Sequence, residues 1–534
     1  MYDILKRTFG FDSFRPFQEE IIRHALSGQD ALVVMPTGSG KSLCYQIPAL
    51  LFDGLTLVIS PLIALMKDQV DALRVNGVKA AYINSSLSQE DIQITLEAAR
   101  LGQIRLLYLA PERLAMPAFQ LLLQRLPVRF ITVDEAHCIS EWGHDFRPEY
   151  LRLSTIHERF PNVPRIALTA TADAPTRTEI KTQLNLQAAS SFIVGFDRPN
   201  LNFKVVHKQQ VKKQLLEFIN SNHRSEAGIV YCLSRNTVDQ TAEWLNEQGL
   251  RALPYHAGLS TEIREKNQRL FLDEEGVIIV ATIAFGMGID KSNVRFVAHI
   301  DLPKSIEAYY QEVGRAGRDG LPAEVWMSYG LADIVARRQM IDSGEAASER
   351  KRIEHQKFNA LLGFVETTAC RRKILLSYFG DTAPENCNNC DTCLEPAVTW
   401  DATIAAKKAL SAVYRTGQRF GTAYIVDILL GKKTERIVNF RHDRLSVFGI
   451  GTELTTQEWT SVLRQLIALD YLETDIEGFG GLRFSKNTSS LLKGGMTLEL
   501  RKDVPRAKIK AKTNARSNST LGNKVVLNNE QQSL

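Results

Sequence analysis

The stretch "ALVVMPTGSGKSLCYQIPALLF" (31–52) decides the fold. Its first five residues are apolar, as expected of a strand that is buried on both faces of a parallel sheet. Gly38 and Gly40 let the next loop curl its backbone N–H groups around phosphate oxygens at the start of a helix. In such a loop Lys41 reaches the β- and γ-phosphates and the Ser42 hydroxyl binds Mg²⁺, so the stretch predicts a nucleotide site in an α/β protein.

Short apolar runs alternate with longer helical stretches on both sides of this loop. Five runs read as strands in the first 200 residues: "ALVVM" (31–35), "LTLVIS" (55–60), "IRLLYLA" (104–110), "RFITVD" (129–134) and "RIALTA" (165–170). A second series contains "GIVYC" (228–232), "GVIIVAT" (276–282) and "VRFVAHI" (294–300). Strands that alternate with helices predict two doubly wound parallel-sheet units, joined near "GFDRPNLNF" (195–203).

An acidic pair follows one of the buried strands. Asp134 ends "RFITVD", where its carboxylate can share a Mg²⁺ ion with Ser42, and Glu135 is placed to orient an attacking water. Met35 stands where the general phosphate-loop pattern has its first glycine. The order strand, loop and helix, with the acidic pair about a hundred residues downstream, still favours nucleotide hydrolysis over a simple turn.

Two arginines lie in "YYQEVGRAGRDG" (309–320) of the second unit. Arg315 and Arg318 are three residues apart and share one face if the segment is helical. Such a pair is often a solvated helix face. If the two units close over one nucleotide, Arg318 becomes an arginine finger, which contributes roughly 10³ to 10⁵ in rate.

Side chains suited to stacking on rings follow the acidic pair in "DEAHCISEWGHDFRPEY" (134–150): Trp142, His144, Phe146 and Arg147. A base stacked on an aromatic side chain gains about 1–3 kcal/mol whatever its identity. This spacing favours a loop that couples phosphate chemistry to contact with nucleic acid. The alternative is that Trp142 and Phe146 belong to a core between domains.

Four of the seven cysteines cluster within 24 residues: Cys370, Cys387, Cys390 and Cys393. Four thiolates are enough for one closed tetrahedral zinc site. An iron–sulfur cluster is a competing interpretation, whereas disulfides do not suit an intracellular chain. The isolated Cys44, Cys138 and Cys232 are expected to be small buried hydrophobic residues.

The C-terminal part predicts a winged helix and a tail. Trp459, Val462, Leu463, Leu466 and Ile467 fall on one face of a helix, and "YLETDIEGFGGLRF" (471–484) reads as a hairpin. Residues 415–444 contain seven Lys/Arg and three Asp/Glu. The tail carries eight Lys/Arg and two Asp/Glu from Arg501 onwards and is expected to be disordered.

Overall composition excludes little. The formal net charge is +5, but without the tail the chain is near neutral, so total charge does not argue for nucleic acid. No apolar run is long enough to cross a bilayer and the first residues lack a signal-peptide core, which predicts an intracellular protein of three or four domains with no membrane partner.

Taken together, the ordered motifs resemble the RecQ family of superfamily 2 DNA helicases. The resemblance covers about residues 1–490 and rests on "FRPFQ" (14–18), "MPTGSGKS" (35–42), "SPLIALMKDQV" (60–70), "APERL" (110–114), "DEAHCISEWGHDFRPEY" (134–150), "LTATA" (168–172), "YHAGL" (255–259), "ATIAFGMGIDK" (281–291) and "QEVGRAGRDG" (311–320). It implies ATP-dependent unwinding of duplex DNA by 3′ to 5′ translocation on one strand, in DNA repair, recombination or replication.

The resemblance also implies site residues and cofactors. It implies ATP, Mg²⁺ and Zn²⁺ as cofactors, with Gln18 reading the adenine and Lys41, Asp134, Glu135, Arg315 and Arg318 as catalytic residues. The implied nucleotide-binding set is Arg15, Gln18, Thr37, Gly38, Ser39, Gly40, Lys41, Ser42, Asp290 and Gln311. It places Trp142, His144, Phe146 and Arg147 on single-stranded DNA and Phe479, at the wing tip, on the last base pair of the duplex, and it favours zinc for the four cysteines.

The domain boundaries expected from these patterns are two RecA-like domains at 1–198 and 199–335, a helical zinc-binding module at 336–396, a winged helix at 397–495 and a basic tail at 496–534. Many RecQ proteins end in a small helical HRDC domain, and the residues after this winged helix are too few for that fold. The tail is then a candidate salt-sensitive electrostatic arm.

Expected partners are single-stranded and duplex DNA and a single-stranded-DNA-binding protein. The chain is expected to be a monomer located in the cytoplasm at the nucleoid. Three alternatives stay open at this point: an RNA helicase, a DNA-annealing scaffold with a vestigial ATPase, and a double-strand translocase that does not separate strands.

Overall fold

A computed structural model describes residues 1–61, 63–84, 87–114, 116–140, 146–286, 291–475, 481–493 and 497–503. The chain divides into two compact units, Met1–Glu395 and Pro396–Leu534. Among the described residues, no helix combines the length and the apolar character that a membrane span requires.

The first part of Met1–Glu395, here called the first lobe, is a seven-stranded parallel sheet in the order β3-β4-β2-β5-β6-β1-β7. Its strands are β1 Ala31–Val34, β2 Leu55–Ile59, β3 Ala80–Ile83, β4 Leu106–Leu109, β5 Val128–Val133, β6 Arg165–Thr169 and β7 Ser190–Ile193. Its helices are α1 Tyr2–Phe9, α2 Gln18–Leu26, α3 Leu43–Leu51, α4 Ile63–Val75, α5 Gln89–Arg100, α6 Pro111–Leu114, α7 Pro117–Leu123, α8 Ile156–Arg159 and α9 Ala174–Gln183.

The second lobe is a six-stranded parallel sheet in the order β10-β11-β9-β12-β13-β8. Its strands are β8 Leu201–His207, β9 Gly228–Tyr231, β10 Arg251–Tyr255, β11 Val277–Ala281, β12 Phe296–His299 and β13 Ala323–Tyr329. Its helices are α10 Val211–Asn222, α11 Arg235–Glu247, α12 Thr261–Asp273 and α13 Ile306–Val313. Strands β1, β2, β9 and β11 are buried along their whole length, as expected of parallel strands covered on both faces.

A helical segment that carries the clustered cysteines, here called the cysteine module, completes the first unit. It consists of α14 Leu331–Ser343, α15 Ser348–Glu366, α16 Arg371–Tyr378 and α17 Asp391–Leu394. Cys390 forms a parallel backbone bridge with Phe203 in β8, so the module lies along the edge strand of the second sheet.

The second unit has the winged-helix order of helices followed by a hairpin. Its elements are β14 Thr399–Asp401, α18 Thr403–Arg415, α19 Thr422–Leu429, α20 Glu435–Asn439, α21 Thr456–Ala468, β15 Leu472–Asp475, β16 Gly481–Phe484, α22 Thr488–Leu492 and β17 Glu499–Arg501. β15 and β16 pair antiparallel, and the predicted apolar face of α21 is buried around Trp459. The two-unit α/β fold with a cysteine module and a winged helix, predicted from the sequence, is confirmed.

Candidate active site

The phosphate loop connects β1 to α3 at the carboxyl edge of the first sheet. Gly38 and Gly40 have φ angles of 81° and 80°, in the left-handed region that a residue with a side chain adopts only at a cost. Lys41 Nζ donates to the Met35 carbonyl oxygen at 3.3 Å, and burial of its ammonium group lowers the pKa of Lys41, an effect that the nearby acidic pair opposes. Thr37 Oγ1 is buried without a hydrogen-bond partner among the described residues. The loop thus presents backbone N–H groups, the Lys41 ammonium and the Thr37 hydroxyl for binding a phosphate group.

Gln18 and Arg15 lie against this loop. Gln18 Nε2 donates to the carbonyl oxygens of Ser39 and Gly40, both at 3.0 Å, and its Oε1 accepts from the Arg15 backbone N–H at 2.9 Å. The Arg15 guanidinium donates to the Gly38 carbonyl oxygen. Both ends of the Gln18 amide are therefore engaged within the protein, and contact with an adenine requires this side chain to rearrange.

The acidic pair stands at the same edge of the sheet, because β5 and β1 are separated only by β6. Burial and the neighbouring Glu135 raise the pKa of Asp134, while Lys41 opposes the shift. A bound cation such as Mg²⁺ favours the ionised carboxylate. Glu135 has a φ of 47°, a left-handed conformation that is uncommon outside glycine and often marks functional sites.

A polar chain that the sequence reasoning did not find leads from the acidic pair to the second lobe. His137 Nδ1 lies 3.4 Å from Glu135 Oε2 and 2.9 Å from Thr169 Oγ1. The Thr171 backbone N–H donates to Thr169 Oγ1 at 3.2 Å, and Gln311 Nε2 of the second lobe donates to Thr171 Oγ1 at 3.1 Å. The "LTATA" motif carried the signal, since Thr169 ends β6 and Thr171 follows it at the same sheet edge.

The two arginines do not share a helix face, because α13 ends at Val313 and the chain turns through Gly314 and Gly317. Residues 314–318 are called the arginine loop below. Arg315 donates to the Gly286 carbonyl oxygen within the second lobe. Arg318 faces the phosphate loop instead.

The arginine loop approaches the phosphate loop so closely that two of the glycines between them have little room for a side chain. A Cβ on Gly38 would lie 3.2 Å from Arg318 Cγ, and a Cβ on Gly314 would lie 2.6 Å from Thr37 Oγ1. The charge of Arg318 also contributes to lowering the pKa of Lys41. The geometry therefore brings Arg318 and Lys41 to one site, with Arg315 anchored nearby in the second lobe.

The structure describes Phe146 and Arg147 of the predicted DNA loop. The Phe146 ring is partly buried and lies 5.8 Å from the guanidinium carbon of Arg350 in α15. Arg147 Nη1 donates to the Pro61 carbonyl oxygen at 2.8 Å, in the loop after β2. Trp142, His144, Phe479 and Asp290 lie outside the described residues.

The four clustered cysteines form a candidate metal centre. Their sulfur atoms all lie within 4.8 Å of one another, and Cys387 Sγ is 3.9 Å from Cys393 Sγ. Zn–S bonds of about 2.3 Å in a tetrahedron place the sulfurs about 3.8 Å apart, so the group fits one zinc ion. Burial acts against the Cys390 thiolate, but hydrogen bonds from the Thr392 hydroxyl and backbone N–H groups outweigh it and lower the pKa of Cys390 to about 7. Zinc bound here would fold the segment from Cys370 to Cys393 around one point.

The second unit contains a cluster of aromatic and basic side chains. Phe420 stacks on Tyr424 with ring centroids 4.0 Å apart, and the Arg436 guanidinium lies 5.4 Å from the Phe420 ring centroid. Phe440 packs edge-on against Phe420 and is 53% exposed. This cluster lies in the basic segment 415–444 and suits contact with nucleic acid.

Four family models match consecutive parts of the chain. These are DEAD/DEAH box helicase over residues 15–180, helicase conserved C-terminal domain over 209–320, RecQ zinc-binding over 331–394 and RQC domain over 396–508. The zinc-binding match spans the four-cysteine centre, and the helicase matches span Lys41, Asp134 and Arg318.

Curated relatives match over most of their length. The chain is 49% identical over 498 residues to the ATP-dependent DNA helicase RecQ of Haemophilus influenzae, covering 93% of this chain and 80% of that protein. It is 40% identical over 508 residues to the protein of the same name from Bacillus subtilis, covering 95% and 86%. The solved structure of the helicase MrfA bound to DNA and AMPPNP matches with a TM-score of 0.52 at 19% identity, covering 63% of this chain and 51% of that chain, a likeness of fold.

Proposed function

Since the chain belongs to the RecQ family of ATP-dependent DNA helicases, we propose that it moves 3′ to 5′ along single-stranded DNA and separates the duplex ahead. It hydrolyses ATP, uses Mg²⁺ as the cation bound to the nucleotide and carries Zn²⁺ as a structural metal. The observation that carries the proposal is the contact of Arg318 with the phosphate loop at Gly38.

In the proposed site the first lobe binds ATP and the second lobe completes the transition state. Lys41 contacts the transferred phosphate, Ser42 and Asp134 hold Mg²⁺, and Glu135 orients the attacking water. Arg318 neutralises the charge that develops on the phosphate, and Arg315 supports the arginine loop from the second lobe. Because this arrangement needs both lobes, hydrolysis requires a closed cleft.

The polar chain supports coupling between hydrolysis and movement. One path of polar contacts runs from the acidic pair to α13 through Glu135, His137, Thr169, Thr171 and Gln311. Residues 141–147 follow the acidic pair after five residues, and we propose that Trp142, His144 and Phe146 contact the DNA strand. The bond from Arg147 to Pro61 then gives this DNA loop a fixed base in the first lobe.

We propose that the second unit holds the duplex end, with Phe479 at the tip of the wing. Opening one base-pair step costs about 1.4 kcal/mol on average, comparable to one aromatic stacking contact. The same proposal includes a monomeric state, a single-stranded-DNA-binding protein as partner and a location at the nucleoid. It also includes the domain boundaries 1–198, 199–335, 336–396, 397–495 and 496–534.

The test is a strand-displacement assay on a forked DNA duplex, with ATPase rates measured in parallel. Lys41→Ala should abolish unwinding and ATPase while DNA binding persists. Arg318→Ala should lower kcat by roughly 10³- to 10⁵-fold, because the finger acts in the transition state. Arg100→Ala, which removes an exposed ion pair with Glu97 on α5, is the matched control and should behave as wild type. Unwinding by Lys41→Ala, or an Arg318→Ala variant with wild-type kcat, would contradict the proposal.

A further inference from the structure

Arg198 lies in the segment that joins the two lobes, between β7 and β8. We propose that Arg198 is a positioning residue for ATP hydrolysis: it holds the arginine loop against the phosphate loop and is itself held by Arg372 of the cysteine module. This inference rests on the proposed roles of Lys41 and Arg318.

The Arg198 guanidinium bonds to backbone of both loops. Its Nη2 donates to the carbonyl oxygens of Ala316 and Gly317 at 2.9 and 2.8 Å. Its Nη1 donates to those of Gly314 and Thr37, each at 3.3 Å. Only arginine offers a planar fork that can reach several carbonyls at once while it stays charged.

These acceptors sit next to the contact on which the proposed chemistry depends. Thr37 precedes Gly38, and Gly317 precedes Arg318. Arg198 therefore bonds to the residue just before each partner of the Gly38–Arg318 contact. Three of its four bonds, including the two short ones, go to the arginine loop, and a single bond of 3.3 Å goes to the phosphate loop. Such an imbalance suits a contact that breaks when the cleft opens, while Arg198 stays with the second lobe.

Arg372 holds the backbone of the segment that contains Arg198. Its guanidinium donates to the carbonyl oxygens of Arg198 and Leu201, both at 2.6 Å, and pairs with Asp197 Oδ1 at 2.5 Å. Arg372 is almost fully buried and lies two residues after Cys370 in the metal centre. A second clamp comes from α13, where the Tyr310 hydroxyl donates to the Phe196 carbonyl oxygen at 2.8 Å. A path therefore runs from the metal centre along the chain to Arg372, and from there through hydrogen bonds to the nucleotide site.

A purely structural role for Arg198 makes a different prediction from a positioning role. A structural arginine changes the stability of the folded protein and leaves the turnover of each folded molecule unchanged. A positioning arginine changes kcat, because it sets where Arg318 stands in the transition state and leaves ATP binding by the first lobe largely intact.

The experiment measures kcat and KM for ATP at saturating single-stranded DNA in the full chain. We expect Arg198→Met to lower kcat by roughly 10- to 100-fold, since a displacement of about 1 Å at a catalytic group can cost about 100-fold. The KM for ATP should change far less. Arg198→Lys, which keeps the charge but not the fork, should recover part of the loss.

Arg165→Met is the matched control. Arg165 is buried, whereas Arg198 is half-buried, and it too donates to a backbone carbonyl, that of Leu184 at 2.7 Å, but all its partners lie in the first lobe away from the nucleotide site. It should lower the melting temperature and leave kcat unchanged. An Arg198→Met variant that folds and keeps the wild-type kcat, or that changes KM alone, overturns the proposal.

Arg372→Met tests the second step. It should lower kcat in the same direction as Arg198→Met with zinc still bound, and the double variant should be no slower than the slower single variant, because both act on one path. Losses that multiply in the double variant would show that Arg372 does not act through Arg198. If Lys41→Ala keeps its ATPase the proposed function fails, whereas failure of the Arg198 arm alone leaves that function standing.

Discussion

Replacing Lys357 with methionine removes the cation from a buried charge cluster that joins three parts of the first unit. Lys357 on α15 pairs with Glu307 on α13 and lies 3.9 Å from Oδ2 of Asp173, which caps α9. The side chains of Lys357 and Glu307 are 9% and 3% exposed. The Tyr378 hydroxyl donates to the same Glu307 oxygen at 2.9 Å. Losing one member of a buried pair costs about 3–5 kcal/mol, because the remaining charge is isolated from water and from its partner.

The cost translates into a measurable melting shift. Unfolding entropy near 60 °C is about 2.1 cal/mol/K per residue, which gives roughly 0.8 kcal/mol/K if Met1–Glu395 unfolds as one cooperative unit. Lys357→Met should therefore lower the melting temperature by about 4–6 °C, measured by differential scanning calorimetry.

Two further variants separate the charge effect from lost packing. Lys357→Met with Glu307→Gln removes both charges and keeps an acceptor for Tyr378, so most of the lost stability should return. Lys373→Met breaks a pair with Glu385, whose side chain is 83% exposed, and should cost at most about 1 kcal/mol. If the double variant melts as low as Lys357→Met alone, the isolated charge is not the cause.

Three other changes test the metal centre, the core of the second lobe and a titrating contact. Cys390→Ala should give poorly soluble protein with less than one zinc per chain; elemental analysis that finds iron, or well-folded protein without metal, would contradict the assignment. Gly228→Ala places a Cβ 2.0 Å from a Phe296 ring carbon and should cost about 1–3 kcal/mol in denaturant titrations, with Phe296→Leu in the same chain relieving it. Burial disfavours the charged His223 ring, but hydrogen bonds with Glu324 and a second carboxylate outweigh this and raise the pKa of His223. The stabilisation is therefore complete below about pH 6.5 and lost as pH rises through the folded-state pKa, so the stability gap to His223→Gln should narrow between pH 6 and 9 and should not widen.

The buried strands were predictable because their sequences are continuous apolar runs, and all eight runs named from the sequence are strands in the structure. Of the strands that were missed, three have a clear physical reason. β7 begins with two serines at an exposed edge of its sheet, and β10 contains Pro254, which an edge strand tolerates. β8 starts inside the segment that its Gly, Pro and Asn residues marked as a join.

The site was predictable where its residues lie close together in the sequence. It was less predictable where residues distant in the sequence meet only after folding. The phosphate loop and the four cysteines are short patterns with fixed spacing. Whether Arg315 and Arg318 share a helix face depended on where the helix ends, and Gly314 and Gly317 end it and turn the two side chains to different partners. Arg198 and the chain through His137 join residues far apart along the sequence, so only the folded lobes reveal them.

The cysteine module also occupies the open side of the second sheet. Asp391 Oδ2 accepts the backbone N–H of Val205 at 2.9 Å, and Asn389 Oδ1 accepts from the Asn202 side chain at 3.0 Å, both along β8. An uncovered strand of this kind is a template on which other chains can add their own strands. Withdrawing the metal should therefore let the molecules associate edge to edge, and light scattering should rise during chelation.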